Sequence, residues 1–374
     1  MNEVMGLICA NYNTDNLGIL TADRPPASLP FGGRYRLIDF VLSNMVNAGI
    51  RTVGIITPYM YRSMLDHLGA GKEWFLDRKR GGLFVLPGSI YGFKNMSTQF
   101  LVKDMIRNLD YLTRDYKEYV IVTSANQVYN MDYRALIEEH AKNGADVTLA
   151  YRGENPAHWS KGLFLDLNFE KRITKMVRVR PEYAPDETPP PALFIDCMIF
   201  NRQVLIDLIG WYEAVDHMEL TDVLLENIGN IRMLGYEFTG YLGRIDSVHS
   251  YLKCSRNTLL PEIHEELFFG KRTVYTKTRD GAPTRYYSGS DTTNSLIPNE
   301  CMIRGRVESS VLFPGVTVEK GAIIRNSVVM QRSVIGRDAL VENTIADKYV
   351  TIGDGAIIRG SDEHPLVLRK KSTM

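Results

Sequence analysis

The sequence predicts an α/β fold in which a mostly parallel sheet, covered by helices, precedes a left-handed parallel β-helix. Two observations carry this prediction. Short apolar runs alternate with amphipathic helical stretches in the first half of the chain, and apolar residues recur every six positions near its end. With 374 residues, of which 44% are hydrophobic and 24% charged, the chain can bury the cores of two domains.

The N-terminal part of the chain alternates strand and helix patterns. Short runs rich in β-branched residues predict buried strands at Val4–Ala10, Thr52–Thr57, Tyr119–Thr123 and Asp146–Ala150. Helical periodicity separates them, at Ile38–Ala48, Ser97–Thr113 and Asp132–Asn143. This alternation predicts helices on both faces of the sheet and a ligand site beyond the carboxyl ends of the strands.

The middle of the chain changes to consecutive strands and then to helices. The predicted strands are Leu163–Leu167, Ile173–Val179 and Leu193–Phe200, and a proline-rich surface loop occupies Pro181–Pro191. Helical patterns follow at Arg202–Tyr212 and Glu219–Ile228. We interpret residues 1–259 as the first domain, 260–287 as a connector without clear periodicity, and 288–374 as the second domain.

The second domain is predicted from a repeat. Eight apolar residues stand six positions apart, at Val316, Ala322, Val328, Val334, Leu340, Ala346, Ile352 and Ile358. Gly315, Gly321 and Gly353 fall at the corners between them. A six-residue period with an inward aliphatic side chain is typical of a left-handed parallel β-helix, whose coils bury these side chains by stacking. The alternative is a β-sandwich, which should show a period of two and longer turns.

Composition and charge narrow the class of partner. Forty-four basic residues balance 44 acidic ones, so nothing favours wholesale binding to nucleic acid or to an anionic membrane. No apolar run is long enough to span a bilayer, the N-terminus lacks signal-peptide features, and the four cysteines are scattered. These features predict a cytoplasmic protein. The seven histidines show no metal-binding spacing, and no G-x-S-x-G elbow is present.

One long segment carries a family resemblance. Residues 29–40 read L-P-F-G-G-R-Y-R-L-I-D-F, and V-L-S-N and N-A-G-I follow before residue 51. This segment resembles the motif P-F-G-G-K-Y-R-I-I-D-F-x-L-S-N-x-x-N-S-G-I of bacterial and plant ADP-glucose pyrophosphorylases, without a gap. With the C-terminal repeat, the resemblance covers nearly the whole chain. It implies a Rossmann-like nucleotidyltransferase domain before the β-helix. It also implies the family chemistry, in which ATP and glucose 1-phosphate form ADP-glucose and release pyrophosphate, with Mg²⁺ neutralising charge.

The phosphate loop of that family is altered in this sequence. The family pattern G-G-x-G-x-R-L corresponds here to A-N-Y-N-T-D-N-L over residues 10–17. Asn11 replaces a glycine that would let the backbone approach phosphate, and no arginine is present. Asp15 would repel phosphate through its charge.

The metal-binding and sugar-contacting positions are altered as well. The resemblance places Asn126 at the Mg²⁺-binding aspartate of G-D-H and Arg244 at the second carboxylate. A neutral amide is a poor sole ligand for a hard dication, and a guanidinium excludes it. Asp246 could act as a shifted ligand only if the backbone moved. The sugar-contacting E-K-P becomes Val179-Arg180-Pro181, without its glutamate.

The resemblance also implies an anion-binding effector site between the two domains. Arg24 and Arg36 match arginines of the N-terminal motif, and Asp347-Lys348 match an acid–lysine pair in the β-helix. Guanidinium groups suit phosphate because they donate paired hydrogen bonds. The alternative is that both arginines are surface or salt-bridged residues. The sequence departs from the family pattern at two further effector positions, Pro26 and Asp66.

The resemblance therefore implies a regulatory or structural subunit, inactive alone, that modulates a catalytic ADP-glucose pyrophosphorylase subunit in bacterial glycogen synthesis. The expected assembly is a hetero-oligomer, by family analogy a tetramer, and the expected effectors are small phosphorylated molecules. No cofactor is expected in this chain, since Mg²⁺ belongs to the catalytic partner. Two alternatives stay open. One is an active glucose-1-phosphate adenylyltransferase with an unusual metal site, and the other is a hexapeptide-repeat acyltransferase, for which only His364 lies near the repeats.

Overall fold

The computed structural model describes residues 3–12, 15–58, 60–89, 99–153, 162–178, 191–278 and 280–374. An N-terminal α/β domain is built on a nine-stranded sheet, and a C-terminal parallel β-helix packs against it. The predicted fold class is confirmed. Most of the proline-rich loop and the family position at Val179-Arg180 lie outside the described residues.

The N-terminal sheet is mostly parallel at its centre and antiparallel on one side. Its strand order is β10-β9-β11-β6-β1-β4-β5, and β8 pairs with both β11 and β12. Strands β6, β1, β4 and β5 are parallel, whereas β11 runs antiparallel to β6 and β8. The strands of this domain are β1 (Val4–Cys9), β2 (Pro30–Phe31), β3 (Tyr35–Arg36), β4 (Thr52–Thr57), β5 (Gly82–Pro87), β6 (Tyr119–Ser124), β7 (Gln127–Val128), β8 (Val147–Gly153), β9 (Phe164–Leu167), β10 (Ile173–Val177), β11 (Ala192–Asn201), β12 (Met233–Glu237) and β13 (Gly243–Arg244).

Helices cover both faces of this sheet because its strands are apolar on both sides. Along β1, Met5 and Leu7 belong to one buried core, whereas Val4 and Ile8 belong to the other. The helices are Leu37–Asn47, Arg62–Leu68, Val102–Arg107, Leu109–Arg114, Tyr133–Asn143, Arg202–Gly210, Leu220–Glu226, Val248–Asn257 and Pro261–His264, with 3₁₀ segments at Asp15–Thr21, Pro26–Ser28 and Lys72–Trp74. No helix within the described ranges is long and apolar enough to cross a membrane.

The single helix expected over residues 97–113 is wrong where the structure describes it. Two short helices, Val102–Arg107 and Leu109–Arg114, meet at Asn108 instead. The Asn108 side chain donates to the carbonyls of Pro87 at 3.0 Å and Asp104 at 2.7 Å, and its backbone leaves the helical region. Asparagine interrupts helices in this way because its amide competes for backbone groups.

The C-terminal domain consists of three parallel sheets that wind into coils. The first contains β14, β16, β19, β22 and β25, the second β15, β17, β20, β23 and β26, and the third β18, β21, β24 and β27. The strands are β14 (Arg285–Tyr286), β15 (Asp291–Thr293), β16 (Met302–Ile303), β17 (Arg306–Glu308), β18 (Val311–Leu312), β19 (Thr317–Val318), β20 (Ile323–Arg325), β21 (Val328–Val329), β22 (Val334–Ile335), β23 (Leu340–Glu342), β24 (Thr344–Ala346), β25 (Thr351–Ile352), β26 (Ile357–Arg359) and β27 (Leu366–Leu368).

The coil is shorter than a strict six-residue ladder requires. Thr317 pairs with Val334 and Val334 with Thr351, so successive coils are 17 residues apart, one fewer than three six-residue sides need. The expectation that every ladder residue points inward is therefore wrong at Val334, which is 37% exposed, and at Leu340, which is half-buried, whereas their neighbours Ile335 and Val341 are fully buried. The side of each coil that is one residue short ends at a residue with a positive φ. These residues are Ser309, Asn326 and Asn343 in successive coils.

The two domains share one hydrophobic core. Phe313 and Met330 of the β-helix are buried in the same cluster as Leu37 and Tyr251 of the α/β domain. Residues 260–287 form part of this junction: a π-helical turn over Glu265–Phe269 buries Leu267, and β14 already belongs to the β-helix. The domains are therefore packed against each other and not merely tethered.

Candidate functional site

The carboxyl ends of β1 and β6 bring together the positions that the resemblance marked as catalytic. The carbonyl of Asn126, just after β6, accepts the backbone N–H of Ile245 at 2.9 Å. Strand β7 pairs with β13 so that Gln127 lies opposite Arg244. Residues 126 and 244, more than a hundred positions apart, are thus neighbours. The two positions that the resemblance assigns to metal-binding carboxylates hold an amide and a guanidinium.

Asn126 and Asn11 are anchored in the protein. The Asn126 side chain is buried, and its Oδ1 accepts the Ser124 hydroxyl at 2.8 Å. Asn11 follows β1 and is also buried, with Nδ2 donating to Asp104 at 2.6 Å and to the Ser89 carbonyl at 2.8 Å. Burial raises the pKa of Asp104, and its hydrogen bonds to Ser89 and Asn11 oppose that shift. Asn11 therefore links the end of β1 to a neighbouring loop.

Arg244 meets carboxylates of its own chain. Its side chain is 14% exposed, and Nε lies 3.8 Å from Asp246 Oδ2, which is an ion pair without a hydrogen bond. Asp196 is buried on β11, at a bulge where its φ is +50°, and it accepts Gln127 Nε2 at 2.6 Å. Burial raises the pKa of Asp196, and the Arg244 charge and the Gln127 hydrogen bond oppose the shift. The guanidinium therefore supplies a positive charge inside the site.

This arrangement does not fit Mg²⁺. The dication prefers several oxygen ligands in octahedral geometry, with carboxylates among them. Asn126 Oδ1 is already a hydrogen-bond acceptor, and Arg244 places a fixed cation at the second ligand position. Within the described ranges, no group of three or more His, Cys, Asp or Glu side chains could hold a metal ion.

Buried polar atoms without hydrogen-bond partners lie near Arg244. Among the described residues these include Tyr12 Oη and Gln127 Oε1, and Asn11 Oδ1 after β1 also has no partner. Burial raises the pKa of Tyr12 well above its usual value, with Asp196 adding to the shift and Arg244 opposing it. Tyr12 is thus kept as a neutral phenol that can donate a hydrogen bond. The site retains hydrogen-bonding capacity although it lacks the metal-binding carboxylates.

A second candidate site lies at the junction of the two domains. It is a cavity of about 230 Å³ whose lining includes Arg36 from the α/β domain and Lys348 from the β-helix. Arg36 donates from its guanidinium to the Ser63 carbonyl, so its side chain is held in place. The cavity is predominantly basic, because its ionisable lining residues are Arg34, Arg36, His67, Lys277, Lys348 and Glu300.

The other two predicted effector residues lie behind this cavity. Arg24 is 5% and Asp347 1% exposed, and the two side chains form an ion pair across the domain junction. Arg24 Nε also donates to the Leu20 carbonyl at 2.9 Å, and Asp347 Oδ1 accepts the backbone N–H of Lys348 at 2.7 Å. Arg24 is thus a salt-bridged residue. The pair fixes the position of the Lys348 backbone.

The sequence did not indicate two of the residues that line this cavity. Lys277 lies in the predicted connector, where no periodicity marked it, and its Nζ donates to the Asp66 carbonyl at 2.6 Å. His67 forms a buried pair with Asp39, with 2.6 Å between Nε2 and Oδ1. Asp39 belongs to the quoted motif, but the distant partner of an aspartate leaves no local signal in a single sequence.

The fold defines a class: a nucleotidyltransferase-type domain followed by a hexapeptide β-helix. Residues 15–159 match the nucleotidyl transferase family model, and residues 284–365 match the model described as GlmU-like, C-terminal hexapeptide. Glycogen biosynthesis protein GlgD of Bacillus subtilis is 33% identical over 369 residues, covering 99% of this chain and 96% of that protein.

Two further relatives cover similar lengths. GlgD of Geobacillus stearothermophilus is 34% identical over 370 residues, which is 99% of this chain and 96% of the relative. Glucose-1-phosphate adenylyltransferase of Bacillus anthracis is 30% identical over 358 residues, with 96% and 95% covered. The chain belongs to the family that contains GlgD proteins and glucose-1-phosphate adenylyltransferases.

Proposed function

We propose that this chain is a regulatory subunit of bacterial glycogen biosynthesis, which binds a catalytic ADP-glucose pyrophosphorylase subunit and modulates it. The observation that carries the proposal is the pairing of Arg244 with the Asn126 region, at the edge where the family chemistry needs carboxylates. A chain that keeps the whole fold but replaces these groups is best explained as a partner of a competent enzyme.

The charges at the strand ends oppose independent catalysis by this chain. Phosphoryl-type transfer depends on neutralising the charge that the triphosphate carries into the transition state, and Mg²⁺ does most of this work. Arg244 repels a dication, and Asp196, which would be needed as a replacement ligand, is engaged by Gln127. The alternative of an active adenylyltransferase with an unusual metal site requires Asp196 and Asp246 to bind metal beside that guanidinium.

The cavity at the domain junction supports a regulatory role. Arg36 and Lys348 come from different domains and line the same space, so an anion bound there contacts both domains at once. Such an anion stabilises one relative arrangement of the domains over others, which is the requirement for allosteric coupling. Cavity size and basic lining favour a small phosphorylated molecule as the effector.

The outer face of the β-helix supports contact with a protein partner. Ile323, Leu340 and Ile357 stack in one row on successive coils, and Ile357 is 71% exposed. Ion pairs flank this row, between Arg325 and Glu308 at 2.5 Å and between Arg359 and Glu342 at 2.7 Å. An apolar centre with a charged rim is the usual anatomy of a subunit interface. We assign this row to contact with the catalytic subunit.

Both halves of the proposal are tested in one experiment. The catalytic subunit from the same genome is assayed for ADP-glucose formation alone and with this chain, and association is followed by size-exclusion chromatography. We expect the mixture to differ in rate or effector response, and Ile357→Asp in this chain to abolish association. Met302→Asp, an exposed apolar residue on a different sheet of the coil, is the matched control and should still associate. A mixture indistinguishable from the catalytic subunit alone contradicts the proposal.

A further inference from the structure

A second basic cavity lies at the opposite end of the sheet, where the parallel strands begin. Its volume is about 530 Å³, and Arg51, directly before β4, and Lys117, close before β6, both line it. Strand β6 has six residues and is therefore about 20 Å long at ~3.3 Å per residue, which separates this cavity from Asn126. The ionisable residues of its lining are Arg51, Arg78, Lys79, Arg80, Arg114, Lys117 and Asp115.

Two glycines fix the basic segment 78–80 against Arg51. Gly81 and Gly82 have φ values of +74° and +103°, which glycine adopts without strain. The Gly82 N–H donates to the Arg51 carbonyl at 2.6 Å, and a Cβ at Gly81 would lie 2.7 Å from that same oxygen. The backbone therefore holds the basic segment directly beside Arg51.

Basic side chains outnumber acidic ones in the lining of this cavity. Asp115, its one acidic lining residue, also accepts the Thr52 hydroxyl at 3.2 Å. Among the described residues, no carboxylate forms an ion pair with any side chain of the segment 78–80. Burial and the nearby charge of Arg78 lower the pKa of Arg51. In a chain without net charge, this excess is a local repulsion that a bound anion would relieve.

We propose that this cavity binds a compact polyphosphate anion, meaning a small molecule with two or more consecutive phosphate groups. Its basic donors come from three separate segments, at Arg51, at residues 78–80 and at residues 114–117. A chain of phosphates extends further and carries more negative charge than a single phosphate, so it suits donors spread over three segments, and guanidinium groups bind phosphate through paired hydrogen bonds. The site is separate from the junction cavity and does not depend on the proposed function.

The test is calorimetric titration of the full chain with inorganic tripolyphosphate at low and at raised ionic strength. The double variant Arg78→Gln/Arg80→Gln should weaken binding at least tenfold, equivalent to about 1.4 kcal/mol. The charge-matched control is Lys142→Gln/Lys175→Gln, which removes two exposed lysines elsewhere and should bind as the wild type does. The titrations are repeated in the Lys348→Ala background, which removes a basic side chain of the junction cavity, and the tenfold loss in Arg78→Gln/Arg80→Gln should persist there.

Further ligands distinguish the source of the anion. Equal affinities for tripolyphosphate and ATP support recognition of the phosphates alone. The proposal is overturned if the Arg78→Gln/Arg80→Gln protein binds tripolyphosphate as tightly as its control, or if the wild type does not bind at millimolar concentration. Tighter binding of a single-stranded oligonucleotide, lost in the same variant, also overturns it, because the cavity would then belong to a nucleic-acid surface.

Discussion

The carboxyl ends of the strands and the domain junction use basic residues in opposite ways. At the strand ends, Arg244 faces Asp196 and Asp246, so its charge is met within the chain. At the junction, Arg24 and Asp347 neutralise each other behind the cavity, and the cavity itself keeps a surplus of basic side chains. We therefore expect this chain to have lost the metal site of the family fold and to have kept an anion site, according to where its charges are compensated.

The largest expected effect concerns the buried pair behind the junction cavity. Arg24→Ala leaves Asp347 buried without its partner, and we expect the free energy of unfolding to fall by about 3–5 kcal/mol. Urea denaturation at neutral pH measures this change. The control is Arg359→Ala, which removes an exposed pair with Glu342 and should cost less than about 1 kcal/mol. Equal losses of unfolding free energy in the two variants would contradict this prediction, because removing the buried partner would then cost no more than removing an exposed one.

The next effect concerns the effector response of the mixed complex. Lys348→Ala in this chain should shift the effector concentration for half-maximal response by roughly 5–150-fold, the usual range of allosteric coupling. The reason is that Lys348 supplies the β-helix side of the cavity. Lys320→Ala, an exposed lysine on the same β-helix, is the control and should leave the response unchanged. An unaltered response in both variants would assign regulation to the catalytic partner alone.

The smallest expected effect concerns Asp196 at the strand ends. Burial raises its pKa above 3.8, so the folded state holds this proton more tightly than the unfolded state does. Its contribution to stability is therefore fully present below pH 3.8 and is lost as the pH rises through the raised value. Asp196→Asn keeps the acceptor for Gln127 and should gain stability relative to the wild type as the pH rises above 3.8. A difference in unfolding free energy that is constant with pH would refute this.

The sequence predicted the fold class because it depends on local periodicity. Strands such as β4 were found to the residue, since a short β-branched run is recorded in adjacent positions. The sequence did not predict the 17-residue coil of the β-helix, because apolar residues occupy both the inward and the outward positions, as at Val334 and Ile335. The clearer signal is a turn residue at 17-residue intervals, which Asn326 and Asn343 provide in consecutive coils.

The candidate sites were less predictable, because they depend on contacts between distant residues. The family resemblance indicated Asn126 and Arg244, but only the structure shows that Asp196 approaches Arg244 from a bulge in β11. Lys277 had no periodic context, and the Arg24–Asp347 pair joins residues 323 positions apart. A single sequence does not record which charges become partners on folding.

We infer that the altered strand ends do not support catalysis. The most direct measurement is pyrophosphate release by the purified isolated chain with ATP, glucose 1-phosphate and Mg²⁺. We expect no turnover above a trace many orders of magnitude below that of typical enzymes, because an amide and a guanidinium stand where the family needs metal-binding carboxylates. A steady rate near the ~10 s⁻¹ typical of enzymes would contradict it and establish an active adenylyltransferase with an unusual metal site.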